Sequence, residues 1–215
     1  AAVRNNSIIT TTTNTQYEGV HLVTSVGAEI SGNKIVAETG AEYGVFIENC
    51  ANLVTGPTHI FNNFIVCAGQ FFLAGIAIDK SAYVNVYHNT VNIYSPTQGS
   101  YCLEIAGTGS SNVEILNNIF TNNGIGYAFN VSPSPIGAVS AFDYNDLYTS
   151  VGGMIGIYDN DTIVDVLDLQ TTHSIGLISV TADPQYISST DLHVGSAGVN
   201  DLGIPLVAVT EDFDG

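Results

Sequence analysis

One pattern of hydrophobic and polar positions recurs along the first two thirds of the chain. An apolar residue is followed by two variable residues, an asparagine, a further variable residue and a second apolar residue. The asparagines are spaced by 27, 30, 26, 29 and 27 residues. Repetition at this period predicts a solenoid, in which each repeat packs only on its neighbours. The six copies are Val3/Asn6/Ile8, Ile30/Asn33/Ile35, Ile60/Asn63/Ile65, Val86/Asn89/Val91, Ile115/Asn118/Phe120 and Phe142/Asn145/Leu147.

A pair of alternating apolar residues precedes each copy after the first, usually close to a glycine. An apolar period of two predicts short strands, and no stretch within the repeats has a helical stripe of useful length. Each unit therefore holds at least two short strands joined by turns. The pairs are Val20/Leu22, Val45/Ile47, Ile76/Ile78, Leu103/Ile105 and Phe129/Val131.

The recurring asparagine has a structural interpretation. Where the chain turns between strands, a side-chain amide can bond the backbone and its own equivalent one coil away, which satisfies turn groups that are otherwise buried unpaired. Leucine-rich repeats carry a similar asparagine, so two solenoids compete. The second half of each unit favours the β-helix, because a segment such as Gly75–Asp79 has the pattern of a strand and not of a helix.

The motifs V-x-N-N-x-I, I-x-N-N-x-I, V-x-H-N-x-V and I-x-N-N-x-F resemble the parallel β-helix repeats of the pectate-lyase-like superfamily. This resemblance implies an all-β fold, a right-handed parallel β-helix solenoid of about six to seven coils, with the coils over residues 1–148. It also implies part of a large secreted or cell-surface bacterial protein. The superfamily includes polysaccharide lyases, glycoside hydrolases, tailspikes and adhesins, so the repeat implies a fold and not an activity.

Residues 149–215 are expected to form closing coils and a cap-like segment of the same domain. The spacing of apolar residues predicts a short helix over Thr162–Gln170. The segments that follow resemble the closing region of large secreted bacterial β-helix proteins, although Ala197 stands where a proline is usual. That resemblance implies that the segment completes the final coils, and that the protein continues covalently into further domains.

Charge and cysteine content exclude several classes. The net charge is −17, with 20 acidic residues against only Arg4, Lys34 and Lys80. Three scattered bases cannot neutralise a phosphate backbone, so nucleic acid is excluded, and unaided binding of acidic polysaccharides is disfavoured. The three cysteines match neither a disulfide framework nor a zinc pattern and are expected in the core. No apolar run suggests membrane insertion.

Equivalent positions of successive coils stack about 4.8 Å apart, so outward residues align in columns. One predicted column is His21, Phe46, Ala77, Glu104 and Asn130, and the next is Val23, Glu48, Asp79, Ala106 and Ser132. Glu48, Asp79 and Glu104 then share a patch edged by Lys80. Such carboxylates could hold Ca²⁺ or act as the acid and base of glycoside hydrolysis, and Lys80 is the one candidate base for a lyase. Alternatively, they form a solvated acidic face.

A second predicted column contains Arg4, Ser31, Phe61, Tyr87, Leu116 and Asp143, with Phe64 outward on the neighbouring strand. The rings of Phe61, Phe64 and Tyr87, like those of His21 and Phe46, could stack on sugars. Alternatively, the loop 68–74 or the C-terminal segment covers this stripe. Asp159 and Asp161 have the oxygen density of a calcium loop, although turn chemistry explains them equally well.

The sequence therefore favours a non-catalytic extracellular β-helix module for adhesion or glycan contact, with a carbohydrate or another surface ligand as its partner. We expect such a module to use either no cofactor or Ca²⁺. The alternatives are a carbohydrate-active enzyme, either a glycoside hydrolase or a calcium-dependent polysaccharide lyase, and a purely structural stalk.

Overall fold

The computed structural model describes residues 1–11, 17–132 and 137–214. The chain forms an all-β parallel solenoid of three sheets with one short helix, as the repeat predicts. It has about five turns. The predicted number was six to seven, and the difference arises because six copies of one corner delimit only five complete turns.

Nineteen strands and one helix are present in the described residues. In chain order they are β1 Ala2–Arg4, β2 Ser7–Thr10, β3 Tyr17–Val23, β4 Glu29–Ser31, β5 Lys34–Ala37, β6 Ala41–Glu48, β7 Thr58–Phe61, β8 Phe64–Ala68, β9 Leu73–Asp79, β10 Val84–Tyr87, β11 Thr90–Tyr94, β12 Ser100–Ala106, β13 Val113–Leu116, β14 Ile119–Asn122, β15 Tyr127–Val131, β16 Val139–Asp143, β17 Asp146–Thr149, β18 Gly156–Tyr158, β19 Asp161–Ile163 and α1 Val166–His173.

Each turn of the solenoid contributes one strand to each sheet. Sheet A contains β1, β4, β7, β10, β13 and β16, and sheet B contains β2, β5, β8, β11, β14 and β17. Sheet C contains β3, β6, β9, β12, β15, β18 and β19. Pairing is parallel between these strands except at β18 and β19, which form an antiparallel pair. The second half of each unit is strand, so the leucine-rich alternative is wrong.

The core lies between the three sheets and is built from the predicted inward residues. In sheet A, Ile60 pairs in register with Ile30 and Val86, and all three are buried. Burial of each such side chain contributes about 1.5–3 kcal/mol before the cost of ordering the chain. The prediction for the cysteines is confirmed, because Cys50, Cys67 and Cys102 are free and buried.

The predicted asparagine ladder is present at the corner between sheets A and B. Asn63 Nδ2 donates to Asn89 Oδ1 at 2.8 Å and also to the carbonyl oxygen of Ile30 at 2.9 Å. The same amide-to-amide bond joins Asn6 to Asn33, Asn33 to Asn63, Asn89 to Asn118 and Asn118 to Asn145. The residue before each ladder asparagine has a positive φ, as in Asn62 and Asn117. Asparagine tolerates that conformation, which explains the doubled asparagine of the motif.

Helix α1 begins four residues later than predicted. Thr162 and Ile163 belong to β19 instead, where they pair with β18. The side chain of Asp165 accepts a hydrogen bond from the Asp168 amide and caps the helix N-terminus. Val166 and Leu169 are buried against the last coil, so the helix covers this end of the core.

The C-terminal segment only partly completes the final coil. Ser179 Oγ accepts from the Asn145 amide at 3.1 Å and extends the ladder, and Val180 bridges Asp146. Beyond Val180 the chain turns back over the outer face of sheet B. There Leu192 packs with Val36 and Val66 in a second, smaller core. The segment therefore extends the final coil as far as Val180, and beyond it Leu192 and Tyr186 pack on the outside of the solenoid.

Candidate functional site

The strand register confirms the alignment of the two predicted columns of sheet C as far as Asn130 and Ala106, and the pairing of β12 with β15 ends at Val131, before Ser132. Phe46 pairs with His21 and Ala77, and Glu104 pairs with Ala77 and Asn130. In the next column, Asp79 pairs with Glu48 and Ala106, and Glu48 pairs with Val23. The columns place rings and carboxylates side by side on one outer face.

A column of glycines changes the alternation on this face. The register of β6 against β9 is the same at Tyr43 and Val45, so the intervening Gly44 lies over Gly75. A Cβ atom at Gly44 would lie 2.5 Å from the carbonyl oxygen of Gly75, so no larger residue fits there. Strict alternation is interrupted at this point, because Tyr43 and Phe46 are three positions apart and yet their rings stack on the same outer face.

Six rings form a continuous series across sheet C, which we call the aromatic platform. Phe46 stacks on His21 at 4.7 Å between ring centroids and on Tyr43 at 4.4 Å. Phe72 makes edge contacts with Tyr43 at 6.1 Å and Tyr101 at 6.0 Å. Tyr101 stacks on Tyr127 at 6.0 Å. The platform consists of His21, Tyr43, Phe46, Phe72, Tyr101 and Tyr127.

The platform crosses five neighbouring strands, from β3 to β15, which corresponds to about 19 Å at the usual strand spacing. The middle strand of the platform, β9, contributes only the small side chains of Ala74 and Ala77, and both are buried beneath their neighbours. The middle of the platform is therefore lower than its two ends. Phe72 is 39% exposed. The platform is therefore an open strip of partly exposed rings.

Three carboxylates border the platform, each with its own polar partner. Glu48 Oε2 lies 3.1 Å from His21 Nε2, and Asp79 Oδ2 accepts from Lys80 Nζ at 2.7 Å. Glu104 Oε1 accepts from Asn130 Nδ2 at 3.5 Å. In the part of the chain that the structure describes, no three His, Cys, Asp or Glu residues are grouped so that they could hold a metal ion. The geometry therefore gives no support to the predicted calcium ligands Glu48, Asp79 and Glu104.

Glu104 is the carboxyl group with the most unusual environment on this face. Burial, reinforced by the charge of Asp79, raises the pKa of Glu104 to about 7. The nearby phenol of Tyr43 is also affected, because burial and the surrounding carboxylates raise its pKa to about 12. Asn130 Oδ1 is buried without a hydrogen-bond partner among the described residues. A neutral Glu104 can donate a proton or a hydrogen bond at mildly acidic pH.

Lys80 is poorly suited to act as a base. Its ammonium group is exposed, and the hydrogen bond to Asp79 raises the pKa of Lys80 above its usual value. An exposed lysine with such a partner stays protonated at neutral pH. Lys80 therefore acts as the ion-pair partner of Asp79.

The second predicted stripe is largely covered. Phe64 stacks on Phe213 of the C-terminal segment at 3.8 Å between centroids, and His193 contacts its edge. Tyr87 is buried, and its hydroxyl donates to Glu114. The alternative that the C-terminal segment covers the stripe is thus confirmed at Phe64, whereas Phe61 remains half-buried.

Asp159 and Asp161 lie at the antiparallel turn between β18 and β19. Asp159 and Asn160 have φ values of 50° and 68°, the left-handed pair that a tight hairpin turn requires. Asp161 Oδ2 lies 3.4 Å from His173 Nε2. Turn formation accounts for these residues, and they belong to no metal-binding group among the described residues.

Sequence reasoning missed four platform residues, namely Tyr43, Phe72, Tyr101 and Tyr127. A weak signal for three of them was present. In register, Tyr43, Ala74, Tyr101 and Tyr127 form one column, and each stands immediately before Gly44, Gly75, Cys102 or Ala128, where the alternation is interrupted. A strict period of two assigns these positions to the wrong face of the sheet.

Comparison with known protein families, with curated proteins and with solved structures finds no match for this chain. The resemblance to pectate-lyase-like repeats therefore rests on the motifs alone. Among the described residues, no helix has the length and apolar character needed to cross a bilayer.

Proposed function

We propose that this chain is a non-catalytic extracellular β-helix module of a larger bacterial surface or secreted protein, and that it binds glycans on the aromatic platform. The observation that carries this proposal is the continuous series of six partly exposed rings across five strands of a rigid sheet. A pyranose ring presents a flat apolar face, and aromatic rings at fixed spacing match a chain of such faces. Rings that already pack on one another lose little freedom when a ligand binds.

The charges beside the platform favour a neutral glycan. Glu48 and Asp79 accept hydrogen bonds and can bind sugar hydroxyls next to the stacked rings. The only nearby ammonium group, that of Lys80, is paired with Asp79. An acidic polysaccharide would be repelled by these carboxylates and by the net charge of −17.

The test compares binding of neutral and acidic polysaccharides by the wild-type protein and by the double variant Tyr43→Ala/Tyr101→Ala. We expect the double variant to lose more than tenfold in affinity for a neutral glycan, since each stacked ring is worth about 1 kcal/mol. The matched control is Tyr148→Ala, which removes a half-buried ring from sheet B. Unchanged binding by the double variant, or an equal loss in the control, would refute the platform as the site.

A second candidate function is a glycoside hydrolase acting at the same face. The specific observation in its favour is Glu104, whose pKa is raised to about 7 and which interacts electrostatically with Asp79, the partner of Lys80. Two carboxyls in different protonation states are what glycoside hydrolysis requires. A lyase is less well supported, because Lys80 stays protonated and cannot remove a proton from the substrate.

Incubation with the same polysaccharides distinguishes these functions. Hydrolysis releases reducing ends, and a lyase also produces unsaturated products that absorb ultraviolet light. The Glu104→Gln variant should abolish hydrolysis and retain binding if Glu104 is the acid. Glycan binding without reaction products supports the binding module. Neither binding nor products would favour a structural stalk.

A further inference from the structure

A separate cleft lies on the opposite side of the solenoid, between the C-terminal segment and the corner of sheets A and B. Its volume is about 540 Å³, within the range of small-molecule sites. One wall is formed by Asn62, His88 and Asn117 at the corner and by the outward column Phe64, Thr90, Ile119 and Asp146. The other wall is formed by parts of residues 192–214.

Two asparagine side chains attach the C-terminal segment across this cleft. Asn117 Oδ1 accepts from the Ile204 amide at 3.0 Å, and Asn117 Nδ2 donates to the Ile204 carbonyl at 2.8 Å. Asn62 Nδ2 donates to the carbonyl of Glu211. These bonds hold the covering wall in place, so the cleft is a built feature of the fold.

Apart from His193, the charged groups that line the cleft are acidic. Asp146, Asp201, Asp212 and Asp214 line it, and none of the described lining residues is Lys or Arg. Burial lowers the pKa of His88, so its ring is neutral at pH 7. His193 forms ion pairs with Asp191 and Asp214, and their negative charges balance a positive charge on its ring. The field in the cleft therefore excludes anions and attracts cations.

Asp146 provides an independent sign of a missing partner. The residue is only 3% exposed, and its Oδ1 accepts from the Ala182 amide at 2.8 Å. Its Oδ2 is buried and has no hydrogen-bond partner among the described residues. A buried carboxylate with an unpaired oxygen is costly unless a proton or a cation accompanies it. Without a bound cation, burial raises the pKa of Asp146 to about 7.

We propose that this cleft binds an aliphatic organic cation, an ammonium group on a short hydrocarbon chain, with Asp146 as its buried counter-ion. The apolar part of the wall, which includes Ile119, Leu192 and Val199, suits the hydrocarbon chain. The ammonium group supplies the hydrogen-bond donor that Asp146 Oδ2 lacks. This proposal does not depend on glycan binding at sheet C.

Binding of the cation is coupled to release of the Asp146 proton. At pH 5.5 the carboxyl is protonated and cannot serve as a counter-ion, whereas at pH 8 it is ionised. Affinity for a primary ammonium group, which stays charged over this range, therefore increases between these pH values. Asp146 interacts electrostatically with Asp183, Tyr148 and Tyr186. The carboxylate of Asp183 favours a cation, and the two phenols are neutral because burial raises their pKa values above 10.

The experiment titrates the full chain with n-butylammonium, n-butanol and n-butyrate, which share one hydrocarbon chain and differ in charge. Binding is measured by calorimetry and by the side-chain NMR signals of Asn117 and His88. At pH 8 we expect n-butylammonium to bind at least tenfold more tightly than n-butanol, and n-butyrate not to bind. Asp146→Asn should lower the affinity for n-butylammonium at least tenfold at pH 8 and have no effect at pH 5.5.

Two control variants isolate the cause. Asp159→Asn makes the same chemical change at the β18–β19 turn, outside the cleft, and should bind as the wild type does. His193→Gln removes a titratable side chain that lines the cleft and should keep the pH dependence that Asp146 produces. Equal binding of n-butanol and n-butylammonium, no binding of any probe, or wild-type affinity in Asp146→Asn at pH 8 would overturn the proposal.

Discussion

The outer faces of sheets B and C come from the same repeat but have different surroundings. On sheet C, the rings around Phe46 pack on one another and stay open to solvent. On sheet B, the ring of Phe64 lies under Phe213, and Leu192 closes a second core over Val66. The same kind of outward aromatic residue is thus a candidate ligand contact on one face and a packing residue on the other. The role of such a residue depends on whether the C-terminal segment packs over that face of the solenoid.

The largest expected effect concerns the glycine column that builds the sheet C face. A Cβ atom at Gly75 would lie 2.2 Å from Val91 Cγ1 and 2.8 Å from the carbonyl oxygen of Cys102. Both are buried and cannot move aside, so Gly75→Ala should lower the free energy of unfolding by about 3 kcal/mol or more. Chemical denaturation measures this change in the free energy of unfolding.

Gly56→Ala is the matched control, because nothing lies within 4 Å of a Cβ atom there. It should change the stability little. If Gly75→Ala is as stable as this control, then close packing of the glycine column does not determine the outward placement of Tyr43 and Phe46.

The next effect concerns the covered face. Leu192 is fully buried in the small core against Val36 and Val66. Leu192→Ala should cost about 2–3 kcal/mol of docking free energy, because it removes most of that core's contact with the segment. Limited proteolysis should then cleave residues 182–214 faster while the coils stay protected.

Glycan binding on sheet C should not change in Leu192→Ala, since no platform residue contacts the C-terminal segment through a described ring contact. A parallel loss of glycan binding would show that the two faces are coupled. In that case the comparison between an open and a covered face would fail.

Each face also contains one buried carboxyl, Glu104 on sheet C and Asp146 under the C-terminal segment. Burial raises the pKa of both groups to about 7, above the value of about 4 in an unfolded chain. For such an acid, the folded state binds the proton more tightly. The contribution of each group to stability is therefore fully present below about pH 4 and falls between about pH 4 and 7, by at most about 4 kcal/mol, because one pKa unit corresponds to about 1.4 kcal/mol.

The two variants should separate these effects by location. Asp146→Asn should remove the pH dependence of proteolysis of the C-terminal segment between pH 4 and 7, whereas Glu104→Gln should leave it unchanged. Glu104→Gln should instead alter the pH dependence of the tyrosine fluorescence, because Tyr43 and Tyr101 lie near Glu104. The reverse assignment would contradict the burial that the structure shows.

Much of the fold was predictable because the period of the repeat gives the length of one coil, and hence which residues of successive coils are in register. Asn63 and Asn89 had to be in register, since their spacing equals one coil and their amides satisfy buried turn groups. The start of α1 was not predictable from apolar spacing. Ile163 fits a helical stripe, but it pairs with Gly156 in the β18–β19 hairpin, and tertiary contact overrides local preference.

The candidate site was predictable only in part. His21, Phe46, Glu48, Asp79 and Glu104 follow from register, because a period of two places them outward. Tyr43 and Tyr101 do not, since the interruption at the glycine column has no counterpart in simple alternation. The cover over Phe64 comes from Phe213, and no repeat in the sequence indicates a contact between residues so distant in the chain.

The smallest expected effect concerns the end of the C-terminal segment. His193 Nε2 bonds Asp214 at 3.0 Å and Nδ1 bonds Asp191, and these carboxylates raise the pKa of His193 above its usual value near 6.5. A base with a raised folded-state pKa stabilises the fold below pH 6.5, and this contribution is lost as the pH rises through the folded-state pKa. The hydrogen bond from His193, and to a smaller extent the charge of Lys34, lower the pKa of Asp191.

His193→Gln should therefore loosen the terminal residues by less than about 1 kcal/mol, because the groups are largely exposed and screened by water. Hydrogen exchange of residues 211–214 in mild acid and in mild base measures the change. The wild type should exchange faster above pH 7, and His193→Gln should show no such increase beyond the intrinsic rate. If the variant keeps the pH dependence, another group near Phe213 holds the cover over sheet B, and the covered face does not depend on this ion pair.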